Sequence, residues 1–422
     1  MLDINLVLLV SLTISLTMTG YYSSIPSVSA TEFLSPSAYD KVKNCTQDLS
    51  KRPTPIEYLT YFNCGHVSSS SNGQTIRDFT LIINENQKIP ISDEGHIFDG
   101  WTFNGTIPGP TMRVTQGDHV RIKVINSPGN QHAHSLHLHS IHAAVMDGVS
   151  MGGYEGGAIP PGGSFVYEFI AAPYGVFPYH CHVDPIADHI NRGLYGMLII
   201  DPKTPRTQMT EFAMLMNGYD LNFDQEGPVS IPSPAESNSD QQIVKTAESN
   251  NDKQVIKPVV STVSHDHEHG KADLGKGKKL KVLAPTENSS AKADDIQRDN
   301  EIYTVNGKAF EYMNHPIQIQ AGKPYRIYLV NMLEFDLVNS FHMHGTMYNY
   351  TVAGTEEIPN YMTDIVTMSQ GDRGIVEFKY DYPGQYMFHA HQAEFTDKGW
   401  MGLFDVKSNV SANSNNNKIL YS

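Results

Sequence analysis

No run of 18 apolar residues occurs anywhere in the sequence and only two tryptophans are present, which argues against a multispanning helical membrane protein. Positive charge is in deficit. Thirty Lys and Arg against 45 Asp and Glu leave a net charge of −15, so nucleic acid is set aside as a partner. Charged residues are sparse at 18%, while 33 glycines and 24 prolines accompany a hydrophobic content of 40%. That mixture suits short strands and many turns, and 422 residues suffice for two or three domains with real cores. Cysteine is scarce too: there are three, against nineteen histidines.

At the amino terminus, Leu6 to Met18 is apolar but too short for a good membrane span, and Ser27-Val28-Ser29-Ala30 offers small residues for cleavage. Residues 1–30 are therefore expected to be a signal peptide and the protein exported, to a periplasmic, pseudo-periplasmic or extracellular space. No Lys or Arg precedes the stretch, and Asp3 stands there instead, so an uncleaved membrane anchor or a buried helix is the alternative. Export permits a disulfide in the N-terminal segment 31–69, where Cys45 and Cys64 lie close in sequence; two free buried thiols are the other reading. Cys181 is left unpaired between His180 and His182.

The chain repeats itself. Phe103-Asn104-Gly105 leads through Gly117-Asp118 to the strand-like Val120 to Asn126, and Val305-Asn306-Gly307 leads through Gly322-Lys323 to Tyr325 to Asn331. Each copy then carries a His-x-His pair (137/139; 342/344), a further strand-like run (Ser164 to Ile170; Gly374 to Tyr380) and a second His-x-His pair (180/182; 389/391). The runs are short, alternating and β-branched, without helical period. They predict an all-β protein of two Greek-key β-sandwich domains, residues 70–204 and 300–408. A long polar linker, 205–299, is expected between them, with a tail over 409–422. Within the linker, His265-Asp266-His267-Glu268-His269 could hold a metal loosely or be a solvated polar tract.

Along a strand, residues i and i+2 emerge on one face roughly 6.5 to 7 Å apart, so each pair presents two imidazoles side by side. Four pairs at matching places in two repeats point to metal binding. By the same parity Cys181 faces away from His180 and His182, and His134, three residues before His137, faces away from the 137/139 pair. His134 and Cys181 can then meet on the far face, with His189 available as a second imidazole. Two His and one Cys in trigonal arrangement suit an electron-transfer copper, with zinc as the competing metal. The second repeat reads His389-Ala390-His391 and can supply imidazoles alone. Eight near-face histidines, four per repeat, would face one another across a domain or subunit interface and suffice for three copper ions.

Taken together, Phe103 to Pro110, the His134 to His139 motif and His180-Cys181-His182 with His189-x-x-x-Gly193 resemble the two-domain multicopper oxidases, over residues of about 70 to 204 and 300 to 408. The resemblance implies paired cupredoxin domains and four coppers per chain, coupling one-electron oxidation of a reductant to the four-electron reduction of dioxygen to water. It places type 1 copper on His134, Cys181 and His189. It matches type 2 to His137 and His342, and type 3 to His139, His180, His182, His344, His389 and His391. It further implies a homotrimer with the trinuclear clusters between subunits. Asp147 and Glu394 are the carboxylates expected near the cluster, as proton relays or ligand-orienting groups.

Two departures matter. The axial position five residues after His189 holds Leu194, which cannot coordinate, and Met197 stands at the wrong offset to replace it. The copper nitrite reductases share the thiolate site around His134, but they lack counterparts of His137, His182 and the full second-domain pairs. Nitrite reductase is thus the alternative function, and a copper-holding electron carrier a third. His189 is expected to bring the thiolate site near the surface. The donor itself is not readable: phenols, metal ions and small nitrogen compounds all stay open. His132 competes with His134 on composition, His142 could lie behind the cluster or be a loop histidine, and Met347, Tyr348 and Tyr350 read as core or interface. Asn44, Asn104 and Asn349 begin glycosylation sequons, patterns that also arise by chance.

Overall fold

A computed structural model describes residues 45–46, 52–149, 154–222 and 299–408. The expected signal peptide, the His265 to His269 run and the tail 409–422 lie outside the described residues. Among the described residues no helix is long and apolar enough to cross a membrane.

The first sandwich stacks two sheets. In one, Thr75–Pro90 lies parallel to His119–Asn126, which pairs antiparallel with Ser164–Ile170; His66–Ser69 and Ile97–Phe103 flank the long strand. The other sheet orders Met112–Thr115, Tyr195–Asp201, Gly175–His180 and His137–Leu138. Alternation drives the packing: Phe79, Leu81, Ile83, Val120, Ile122 and Val124 all point inward, buried with Cys181, Leu194 and Leu198. A disulfide joins Cys45 to Cys64, and the Arg77 guanidinium donates to the Cys64 carbonyl, 2.9 Å away.

The second sandwich repeats this plan. Thr210–Tyr219 runs parallel to Pro324–Asn331, as Thr75–Pro90 does to His119–Asn126. The turns at Asn104 and Asn306 match as well. Both asparagines have positive φ, and their amide oxygens accept the N–H of Ile82 and of Leu215. The linker expected over 205–299 therefore needs correction. Thr210–Tyr219 is the first strand of the second sandwich and pairs antiparallel with Ile302–Val305, Tyr219 opposite Ile302. The polar insert leaves and rejoins one sheet at neighbouring positions, so it interrupts the second domain rather than joining the two.

A third cluster, including Ile107, Val176, Met197, Leu215, Tyr219 and Val330, packs the sandwiches together. Beside it lies a buried ionic network. Arg113 meets Asp201 at 2.8 Å and Glu211 at 2.7 Å, Arg326 meets Glu211 at 2.9 Å, and the Tyr328 hydroxyl donates to Glu211 at 2.7 Å. Burial opposes ionisation of Glu211, but Arg113 outweighs it and holds the carboxyl below its usual range.

Candidate metal centres

Strand register builds the first histidine group. His137 lies directly opposite His180, and Leu138 opposite Tyr179, so two histidines of different strands become cross-strand neighbours. The rings of His137, His139 and His180 sit 5.1 to 5.2 Å apart, and His182 lies 5.0 Å from His137. Each ring is held by its back nitrogen where a partner is present. His137 Nδ1 donates to the Asp147 carbonyl at 2.9 Å, and His180 Nδ1 to the Cys181 carbonyl at 2.8 Å. His182 Nδ1 is buried without a hydrogen-bond partner. Gly148, at φ 71, places the point where a Cβ would sit 2.2 Å from the Leu136 carbonyl; only glycine lets the Asp147 loop pass this close.

The second group mirrors the first. His342 lies opposite His389, with rings 5.2 Å apart, and His344 is 5.0 Å and His391 5.3 Å from His342. His342 Nδ1 donates to the Asp364 carbonyl, and His389 Nδ1 to that of Ala390. Ser135 and Ser340 occupy matching places: their hydroxyls accept the N–H of His182 and of His391, at 3.1 and 2.8 Å. The first group is largely covered, whereas His344 and His391 of the second are exposed. Among the described residues no ring contact joins one group to the other.

On the far face His134, Cys181 and His189 converge, all buried. The Cys181 Sγ is 3.1 Å from His189 Nδ1 and 3.8 Å from His134 Nδ1, and those two nitrogens are 3.2 Å apart. Three separate groups thus converge: His134 with Cys181 and His189, His137 with His139 and His180, and His342 with His344 and His389. His189 is supplied by the short helix Ile186–Asn191. It is only 2% exposed, which corrects the expected surface approach: Trp101 covers it, ring edge against ring at 5.0 Å, and packs likewise on His134 at 5.2 Å. Leu194 is buried in the cluster that contains Cys181, whereas Met197 points into the packing between the sandwiches and cannot serve the site.

Of the two expected carboxylates, Asp147 lies beside its histidine, with Oδ1 3.1 Å from His137 Nδ1, and His142 adjoins both. Glu394 does not. The helix Ala393–Asp397 turns it outward, where it pairs with Lys398 at 2.7 Å, and Thr396 instead reaches His389 Nδ1 at 3.3 Å. Glu85 escaped the sequence reading, although its parity with Phe79, Leu81 and Ile83 marks an acid in an inward-facing row. It lies 2.9 Å from His134 Nε2. Burial pushes its carboxyl up, but the N–H groups of Gln131 and His132 and the His134 ring more than reverse this, so it stays below the usual range. His132 is the exposed neighbour, 3.2 Å from Glu85.

Burial keeps three of the imidazoles neutral at neutral pH: it lowers His139 to about 4, and His180 and His189 to about 3. It pushes the Cys181 thiol up to about 11, so the sulfur ionises at neutral pH only against a cation. Buried neutral imidazoles converging with a thiol that awaits a cation are a donor set that fits copper.

Family profiles described as multicopper oxidase match residues 85–205 and 282–410. The chain belongs to the multicopper oxidase family. It is a copper oxidoreductase. A solved multicopper oxidase is 34% identical, covering 84% of this chain and 97% of its own, with a TM-score of 0.63. The copper-containing nitrite reductase of Neisseria meningitidis serogroup A is 24% identical over 318 residues, which are 75% of this multicopper oxidase and 66% of that relative. The match thus spans about two thirds of that relative's length. Copper nitrite reductase from Nitrosomonas europaea, 21% identical with a TM-score of 0.56 over 79% of this chain and 94% of its own, shares the fold.

Proposed function

We propose that the protein oxidises a small reductant at a mononuclear copper held by His134, Cys181 and His189 and reduces dioxygen to water at a trinuclear cluster held by eight histidines. The observation that carries this reading is the pair of matching four-histidine groups; a single catalytic copper would leave His137, His182 and the 342/344 and 389/391 pairs largely without work. When bound, copper supplies one-electron transfer at the first site and dioxygen reduction at the second. The chain does the rest. Cys181 joins the two sites through its own backbone, because His180 Nδ1 donates to its carbonyl. Ser135 ties the same junction together: its N–H donates to the Cys181 Sγ at 3.3 Å and its hydroxyl accepts the His182 N–H. Asp147 fixes the His137 tautomer and offers a part-exposed carboxylate to hold a proton beside the cluster.

The cluster would form between subunits of a homotrimer, the first group of one chain covering the second group of the next. Exposure of His344 and His391, and of Met347, which lines the same hollow and is 55% exposed, supports a covering partner. A head-to-tail ring uses surfaces in this way. Export to an oxidising space, anchored or free, accords with the Cys45–Cys64 disulfide.

Copper analysis and gas exchange test the function. About four coppers per chain and dioxygen uptake with a reducing dye are expected for the oxidase. Nitrite reduction is the second reading, supported by the curated relatives. About two coppers per chain and nitric oxide from nitrite would establish it instead. Subunit mixing tests the assembly. Inactive His137→Ala and His342→Ala chains, refolded together in equal amounts, should regain about a quarter of the clusters if each is shared between chains. No regain would place both halves in one chain.

A further inference from the structure

Glu85 ends the inward-facing row of Thr75–Pro90, where Phe79, Leu81 and Ile83 build the core, and its side chain is 2% exposed. Immediately after it, Asn86 takes φ 54 and the pairing with Ile97–Phe103 shifts register, so the strand changes course as soon as the carboxylate has been delivered. A carboxylate buried at such a place is costly unless its oxygens are satisfied, and here all the partners donate. Oε1 takes the His132 N–H at 3.0 Å and His134 Nε2 at 2.9 Å; Oε2 takes the Gln131 N–H at 3.0 Å and faces His132 Nδ1 at 3.2 Å. Three hydrogen bonds and the nearby His132 ring thus surround the two oxygens. With its proton on Nε2, the His134 ring must present Nδ1 as a bare lone pair, and it is Nδ1 that faces Cys181 and His189.

We propose that Glu85 is a positioning residue for the thiolate site: it fixes the His134 tautomer and, as a buried negative charge one imidazole away, lowers the reduction potential that Leu194 would otherwise leave high. A carboxylate on the back nitrogen makes an imidazole a stronger donor, which favours the oxidised metal. This rests on reading His134, Cys181 and His189 as the mononuclear copper site. Leu194 removes the axial donor and Glu85 opposes the effect from the other side of His134, so the two residues set the driving force together.

Two measurements test the proposal. In copper-free wild-type protein with 15N-labelled histidine, His134 should carry its proton on Nε2; a proton on Nδ1 overturns the positioning role, with no variant required. In copper-loaded Glu85→Gln, which keeps the shape and removes the charge, the blue absorption should persist. Its equilibrium with a redox mediator should shift at least tenfold towards the reduced protein, about 59 mV for one electron. His132→Ala, which leaves Glu85 charged, should move the same equilibrium less than about twofold. A retained blue band with an unmoved equilibrium in Glu85→Gln overturns the electrostatic role. Should that variant fail to fold, Glu85→Asp, which retains the charge, must keep the mediator equilibrium within about twofold of wild type, and a larger shift towards the reduced protein overturns it. Wild-type protein without any blue band defeats the site assignment itself, and the tautomer measurement still decides what Glu85 does to His134.

Discussion

Replacing Cys181 by serine should separate the two copper environments proposed above, and the neighbours of Cys181 say which groups feel the change. The serine hydroxyl would stand where Sγ now lies, within reach of the Ser135 N–H and His189 Nδ1, so the penalty for an unpaired buried hydroxyl, about 1–3 kcal/mol, is largely avoided. The near-face histidines should not notice. His180 is held by the backbone carbonyl of residue 181 and His182 by the Ser135 hydroxyl, and neither bond involves sulfur. On the proposed reading of four coppers per chain, the variant should therefore lose the intense visible absorption and about one copper in four. Turnover should fall at least a hundredfold, about 2.7 kcal/mol of barrier, since the donor's electron no longer has a thiolate to pass through. Metal analysis, visible spectra and dioxygen uptake on a single preparation read all three. Retention of the blue colour would remove the thiolate assignment; loss of every copper together would show that the two faces are not independent.

The copper-free protein should lose stability as pH falls from about 6.5, because His180 and His189 stay neutral in the fold down to about 3 while the unfolded chain takes up protons, and melting temperature against pH should show it. A flat profile over that interval would mean that solvent reaches these rings. Leu194→Met should cost less than about 1.5 kcal/mol, the two side chains being close in volume, and should lower the potential of the blue site by adding an axial donor. A raised or unchanged potential would place residue 194 away from the metal. Arg113→Met strips Asp201 and Glu211 of their shared partner and should cost about 3–5 kcal/mol, seen calorimetrically as a lower melting temperature. A loss under about 1 kcal/mol would mean that Arg326 alone suffices to hold Glu211.

Much of the centre could be read from parity. A side chain's face depends on whether its number is odd or even along an extended chain, so Cys181 parts from His180 and His182, and His134 from His137, although the paired strands end at His180 and begin at His137. The pattern is silent where the backbone turns helical. Glu394, close to His391 in sequence, lies in a helical turn that rotates it towards Lys398. Trp101, the cover over His189, comes from a different sheet, and such lateral packing leaves no trace in spacing. The strand Thr210–Tyr219 abuts the polar insert, whose composition masks it; Phe212 to Met216 is an unbroken apolar run that belongs to the fold. The donor's identity has no comparable signature, since the ligand pattern says nothing of the surface a donor would meet.

The return of the chain to its own neighbouring strand after the polar insert has a practical consequence. Because Tyr219 and Ile302 are already held side by side by the sheet, the segment between them is a closed excursion whose length enters the stability only logarithmically. A short turn spliced in its place, or a foreign domain, would leave both sandwiches and every ligand where they are. The protein thus has a socket for cargo in its second half that its chemistry never has to know about.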